Sequence, residues 1–407
     1  VTATTTTSDI ITLRRFADCE AALRNANLKQ ALYDAGKVVM EDVLLTLHGP
    51  EHLKRRGVEA RVFRRNFFNH YEKIVFPSTL GQTLAPFLEA GRANLVAFGY
   101  RATVNLTADF AGIDRPQKSA EESEQLIRLV KKLSEGATMV HSTRDPSELE
   151  GEVREALAEF DEAFLQPSIR RRQALLAEVA AGTLDATDLP RDVLTVILQA
   201  QDELELDADL LLREIAFYMQ AGAHSTANSV IHAFHEIIGW AGEDEARWQR
   251  LADPLFVQRC VHESLRLHPA SPEAWRTSMC PMAMAGAGDV DTGDRLVLDL
   301  FNANRDPSVF GADADSFDPD RAVPKGVLPT ALAFGIGVHA CLGRELDGGL
   351  PAKPGADPDS HQYGIVALIV IRLLALSARA DPDALPQLDT STIRPNWGSY
   401  PIIFAKD

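Results

Sequence analysis

The sequence predicts a mainly α-helical fold with a small β region, organised as a single domain over residues 1–407. Three observations support this. The stretch from about Asp207 to Trp240 has no proline and opens on a good N-cap residue. It reads as one helix of about 30 residues, roughly 45 Å long and enough to cross a domain. Apolar residues recur at helical spacing from Arg61 to Asp109, with breaks near Pro77 and Gly91, and again from Glu121 to Leu133. Strand-like alternation is confined to short pieces near Ala283 and at Arg295 to Leu300.

Taken in order, Val1 to Ile11 is a Thr-rich polar run without the basic and apolar regions of a signal peptide. Ile10 to Leu28 reads as a strand and an amphipathic helix, with Phe16, Ala21, Leu23 and Ala26 apolar, and Ala31 to Leu47 as an irregular connection around Gly36. From His48 a helix opens with Pro50 in its first turn and Glu51 near the positive end of the dipole. His52 and Arg56, four apart, share one of its faces. Ser134 to Asp185 is charged and irregular in pattern, which predicts two helices and a mobile connection with a break at Pro167. Glu263 and Arg266 are spaced for an ion pair on one helix face, and His268-Pro269 ends that helix.

Composition narrows the function classes. A formal net charge of −17 argues against nucleic acid or an anionic membrane as the main partner. Four cysteines, Cys19, Cys260, Cys280 and Cys341, lie far apart without zinc-type spacing or a disulfide framework. The longest apolar run, Gly364 to Ile371, is too short to span a bilayer. These features predict a cytoplasmic protein. Against the acidic background, His52 to Arg56 with Arg61, Arg64 and Arg65 form a local basic cluster, either a solvated helix face or a docking patch for an acidic protein.

The chemistry concentrates at Phe334-Gly335-Ile336-Gly337-Val338-His339-Ala340-Cys341-Leu342-Gly343. Alternate glycines suit a tight turn. A cysteine placed where a helix starts meets unpaired N–H groups that lower its pKa, which makes it a ready metal ligand. This run resembles the haem-binding loop of the cytochrome P450 family, Phe-Gly-x-Gly-x-His-x-Cys-x-Gly, at every fixed position. The resemblance extends from Ile10 onward, through the Asn304-Arg305-Asp306-Pro307 turn and Phe317 to Arg321.

The resemblance implies a P450-like fold holding haem b, with Cys341 as the axial thiolate, Phe334 over the sulfur, and His52, Arg56, Arg276 and His339 on the propionates. Glu263, Arg266 and Arg321 form its structural triad. The long helix carries Ala221-Gly222-Ala223-His224-Ser225-Thr226 where the family binds dioxygen. His224 and Ser225 replace the usual acid and threonine, so His224, Ser225 and Thr226 are the candidates for proton delivery. Pocket candidates by family position are Val38, Met40, Phe217, Gln220, Ala221, Ala270, Glu273 and Trp397.

The implied reaction is a monooxygenation that inserts one atom of O2 into a small or medium, largely apolar substrate. No flavin or nucleotide motif is visible, so electrons from NAD(P)H are expected through an acidic ferredoxin and its reductase, to a monomeric enzyme. The alternatives are a peroxide-driven or oxygen-independent haem-thiolate enzyme and a non-catalytic haem sensor or ligand-binding protein. Two departures stand out. The elements ahead of Ile10 look shortened, and a Pro/Gly/Asp-rich insertion at about 347–361 interrupts the helix after the cysteine. That insertion is expected to be a mobile surface loop, with a helix resuming near Tyr363.

Overall fold

The computed structural model describes residues 10–404. Its spine is the helix Ala208–Ala241, 34 residues long. Asp207 caps it as the sequence predicts, its carboxylate accepting from the Leu210 N–H at 2.7 Å. The helices Leu95–Ala111, Pro254–Leu267 and Ile365–Ala375 pack around this spine. At the crossing with Leu95–Ala111 small residues let the backbones close up. A Cβ on Gly222 would sit 2.9 Å from Thr107 Oγ1, and Thr103 Oγ1 donates across to the Ala223 carbonyl at 3.0 Å. No helix among the described residues is long and apolar enough to cross a membrane.

The largest sheet has four strands in the order Ile10–Leu13, Arg295–Asp299, Glu273–Ser278, Leu28–Gln30, beside a three-stranded and two two-stranded sheets among the described residues. Its first pair is parallel and the others antiparallel. Inward residues such as Leu13, Leu296 and Leu298 join Phe16, Phe310 and Leu332 in an apolar cluster separate from the helical core. This sheet presents Arg276 and Glu273, while the helical core presents His52, His224 and Arg266.

The irregular connection at 31–47 is largely as expected, with a single 3₁₀ turn at Asp34–Gly36 and one helical turn at Lys37–Met40. Gly91, at φ 68°, ends the helix Phe76–Ala90. The prolines behave otherwise. Pro77 sits in the first turn of Phe76–Ala90, directly after a π turn at Tyr71–Val75. The expected break at Pro167 is absent too. Pro146–Phe160, a π turn at Asp161–Leu165 and Gln166–Ala180 run on as one helical path. A π turn already shifts the hydrogen-bond ladder, so the missing proline N–H falls where little is lost.

The insertion after the cysteine is not loose at its base. A four-residue helix, Arg344–Asp347, precedes it and Ile365–Ala375 follows it. Between them His262 Nε2 bonds the Gly348 carbonyl at 2.7 Å and Leu350 N–H donates to Gln362 O at 3.0 Å. The Glu72 carboxylate accepts from the N–H groups of Tyr363 and Gly364 at 2.6 and 3.2 Å. Only the tip, 351–360, is mostly exposed.

Candidate active site

The cysteine loop is built on two left-handed glycines, Gly335 at φ 60° and Gly337 at φ 73°. A side chain on Gly337 would meet the Leu23 carbonyl at 2.7 Å, so this glycine serves contact with the helix Phe16–Arg24. The Cys341 N–H donates to the Phe334 carbonyl at 2.9 Å and closes the turn. Phe334 packs its ring edge over Gly348, where a Cβ would sit 3.2 Å away.

Cys341 is accessible, yet its surroundings push its thiol up to about 11, first through desolvation and then through the Asp347 carboxyl. The expected lowering is therefore overturned. The Gly343 N–H, Arg56 and Arg344 do favour the thiolate, but the helix that follows has only four residues and little dipole to offer.

Helix Gly49–Glu59 brings His52 and Arg56 to this loop. The His52 and His339 rings lie 4.3 Å apart, and Arg56 Nη2 donates to the Ala340 carbonyl. The Nε2 atoms of His52 and His339 are buried without partners. Burial pushes His52 down to about 4 and His339 to about 3, so both rings are neutral and can each offer one N–H. From the sheet, Arg276 is buried and donates to Gln30 Oε1 at 2.8 Å. Two orphaned imidazole nitrogens and two guanidinium groups around one thiol fit a haem, whose carboxylates need such donors.

Beneath the loop, Arg266 donates to both oxygens of Glu263 at 2.7 and 2.6 Å and to the Asn304 and Ala314 carbonyls at 2.7 and 2.8 Å. Arg321 reaches Glu263 Oε1 at 2.9 Å. The three residues named from sequence therefore form one buried network.

The three helix candidates diverge. His224 Nδ1 meets the Tyr100 hydroxyl at 2.5 Å, and its imidazole is pushed to about 3 by burial. Ser225 Oγ donates to the Ala221 carbonyl at 2.6 Å within its own helix. Thr226 is buried beside Asp347, whose carboxyl burial pushes up to about 6. The pocket candidates are spread as well. Gln220 contacts Met40 Sδ at 4.0 Å, and Val38, Phe217 and Ala221 pack in the same core. Ala270 lines a cavity of about 20 Å³, and Trp397 one of about 260 Å³ that also holds His224. Glu273 Oε2 is tied to Trp275 Nε1 at 2.7 Å.

Within the basic cluster one correction is needed. Arg55 is buried and pairs with Glu214 at 3.0 Å, and His52 is buried, so neither belongs to an exposed patch. Lys54, Arg61, Arg64 and Arg65 are exposed. Sequence reasoning missed Tyr100, the partner of His224, and Arg394, which lines both cavities. No local pattern marks either one.

The family model described as Cytochrome P450 matches residues 235–346. Pulcherriminic acid synthase of Bacillus subtilis is 24% identical over 81% of this chain and 77% of that protein. A self-sufficient cytochrome P450 monooxygenase of Aspergillus terreus is 27% identical over 42% of this chain, which spans 19% of that relative's length. Among solved structures, P450BioI in complex with an acyl carrier protein ligated to hexadec-9Z-enoic acid superposes with a TM-score of 0.73 at 18% identity, covering 97% of this chain and 91% of that one.

Proposed function

We propose that the chain is a member of the cytochrome P450 family, to which it is similar in sequence, and that it is a haem-thiolate monooxygenase acting on a small or medium organic substrate, with haem b held by Cys341. The observation that supports this most directly is the convergence of Cys341 with the orphaned nitrogens of His52 and His339. When bound, haem iron supplies the oxygen chemistry, and a metal on the sulfur stabilises the thiolate that the protein alone disfavours.

This chain's own residues bind and orient. His52, Arg56, Arg276 and His339 would hold the carboxylates, while the Glu263 network fixes the segment below the loop. The Tyr100–His224 contact holds a proton-bearing pair between the helix Leu95–Ala111 and the long helix. Ser225, already bonded to Ala221, is a weaker candidate for ordering water than the sequence suggests.

The test is spectroscopic. Reduced, carbon-monoxide-treated protein is expected to show the red-shifted Soret band of a thiolate ligand, and Cys341→Ser to lose it. Protein that binds haem but shows no such band, or a Cys341→Ser variant that keeps it, would refute the assignment. For electron delivery, a small acidic ferredoxin fits the exposed Lys54, Arg61, Arg64 and Arg65. Reversing charge at Arg64 and Arg65 should slow ferredoxin-supported reduction and flatten its salt dependence. An unchanged rate and salt slope would remove the patch from the mechanism.

A further inference from the structure

Among the described residues five arginines are buried: Arg55, Arg172, Arg266, Arg276 and Arg394. Four of them have side-chain partners in Glu214, Asp114 and Asp192, Glu263, and Gln30. Arg394, 8% exposed, makes no side-chain hydrogen bond or ion pair with any described residue, and its Nε is buried without a partner. A guanidinium cannot shed its proton at ordinary pH, so an isolated one in the interior is costly unless an anion meets it.

The surroundings repeat that demand. Arg394 lines the cavity of about 260 Å³ together with Lys131, His224 and Trp397. It also lines the adjoining cavity of about 20 Å³, and the two share Asn228 and Asn396 as well. Trp397 Nε1 has no acceptor. Neither does His141, which is buried with both ring nitrogens unpartnered and whose carbonyl accepts from Ile393 N–H at 2.9 Å, next to Arg394. Lys131 rests its ammonium 4.3 Å over the Tyr100 ring and has no carboxylate partner among the described residues.

Two carboxylates, Glu135 and Asp389, line the same cavity and Glu273 stands near Arg394, but each is bonded to another residue. Asp389 Oδ1 accepts from Ser391 N–H and Oγ at 2.9 and 2.6 Å. Glu135 pairs with Lys132 at 2.5 Å and Arg144 at 3.4 Å. Glu273 is bonded to Trp275 at 2.7 Å. The cavity therefore presents one buried guanidinium without a hydrogen-bonded or ion-paired partner, together with the unused Trp397 N–H.

We propose that this cavity binds an organic carboxylate, with the anionic group on the Arg394 guanidinium and the body of the molecule against Trp397 and His224. This deepens the proposed function by naming a substrate class and rests on it for the fate of the acid. Binding itself does not depend on turnover. The haem's own carboxylates are another source of the same chemistry, but the donors suited to them, His52, Arg56 and His339, cluster on the cysteine loop instead.

The experiment is isothermal calorimetry on the haem-loaded protein with benzoate, 4-phenylbutanoate, the methyl ester of each, and 4-phenylbutylamine. At least one acid is expected to bind more tightly than its ester and than the amine. Arg394→Gln should weaken the acid about tenfold to a hundredfold and leave the ester unchanged. Arg394→Lys should recover part of the loss, and Trp397→Phe, which keeps the ring and removes the N–H, should weaken the acid severalfold. Without ligand, Arg394→Gln should melt at the wild-type temperature or above it, because it removes an unpaired buried charge.

Three results would overturn the proposal: no preference for either acid, including no binding of any probe; equal loss of acid and ester in Arg394→Gln; or a fall in haem content in that variant, which would assign Arg394 to the porphyrin. Failure of the family reading would show separately, as a missing thiolate Soret band in wild-type protein.

Discussion

Arg266 and Arg394 are both buried guanidinium groups, and they differ in everything else that matters. Arg266, 0% exposed, donates to both oxygens of Glu263 and to two backbone carbonyls. The guanidinium of Arg394, 8% exposed, donates to nothing among the described residues. The first is part of the scaffold, since its charge is answered within the chain. The charge of the second is answered by no side chain among the described residues, and the proposed carboxylate site rests on that contrast. Desolvation is the shared cost, and only the source of compensation differs.

The sharpest way to break that comparison is to remove each guanidinium in turn. Arg266→Ala leaves the buried Glu263 carboxylate with only Arg321 and the Asp318 N–H, and is expected to cost about 3–5 kcal/mol. Arg394→Gln strands nothing and should stay within about 1 kcal/mol of wild type or gain stability. Urea unfolding midpoints at constant slope would measure both. Equal losses would mean that Arg394 has a partner that the static contacts do not reveal.

The same contrast explains what was legible in the sequence. Glu263 and Arg266 are three apart on one helix, so the chain itself sets their contact, and the cysteine loop announces itself through glycines that only a left-handed turn requires. His52 and Arg56 follow from helix spacing in the same way. Arg394 stands in a turn without periodicity, and its isolation depends on Asp389, Glu135 and Glu273 all being bonded elsewhere. Tyr100 meets His224 across 124 residues of sequence. The two π turns escaped because proline normally breaks the regular ladder that surrounds it, and here it falls just after a ladder already shifted. Contacts fixed by local spacing could be read; those set by packing among distant elements could not.

Buried groups that can discharge should behave differently from either arginine. His262, held by the Gly348 carbonyl at the neck of the insertion, is pushed down to about 4 by burial, with His361 adding to the effect. Its folded-state pKa lies below the unfolded value, so its contribution is intact above about pH 6.5 and is lost as pH falls toward 4. About 2.5 pH units of difference corresponds to about 3 kcal/mol. His262→Gln should flatten the acid limb of a stability profile by about that amount. A profile unchanged in the variant would place the acid sensitivity elsewhere.

The smallest effect is the control for the whole comparison. Arg154 and Glu150 form an ion pair of 2.8 Å at i,i+4 spacing, close in length to the Arg266–Glu263 contacts, but their side chains are 62% and 39% exposed. Water competes for both groups and already solvates whichever partner is left behind. Arg154→Ala should therefore cost no more than about 0.5 kcal/mol, and that cost should shrink further in added salt. If it instead approached the loss in Arg266→Ala, then pairing rather than burial would govern these arginines, and an unpaired Arg394 would lose its meaning as a ligand site.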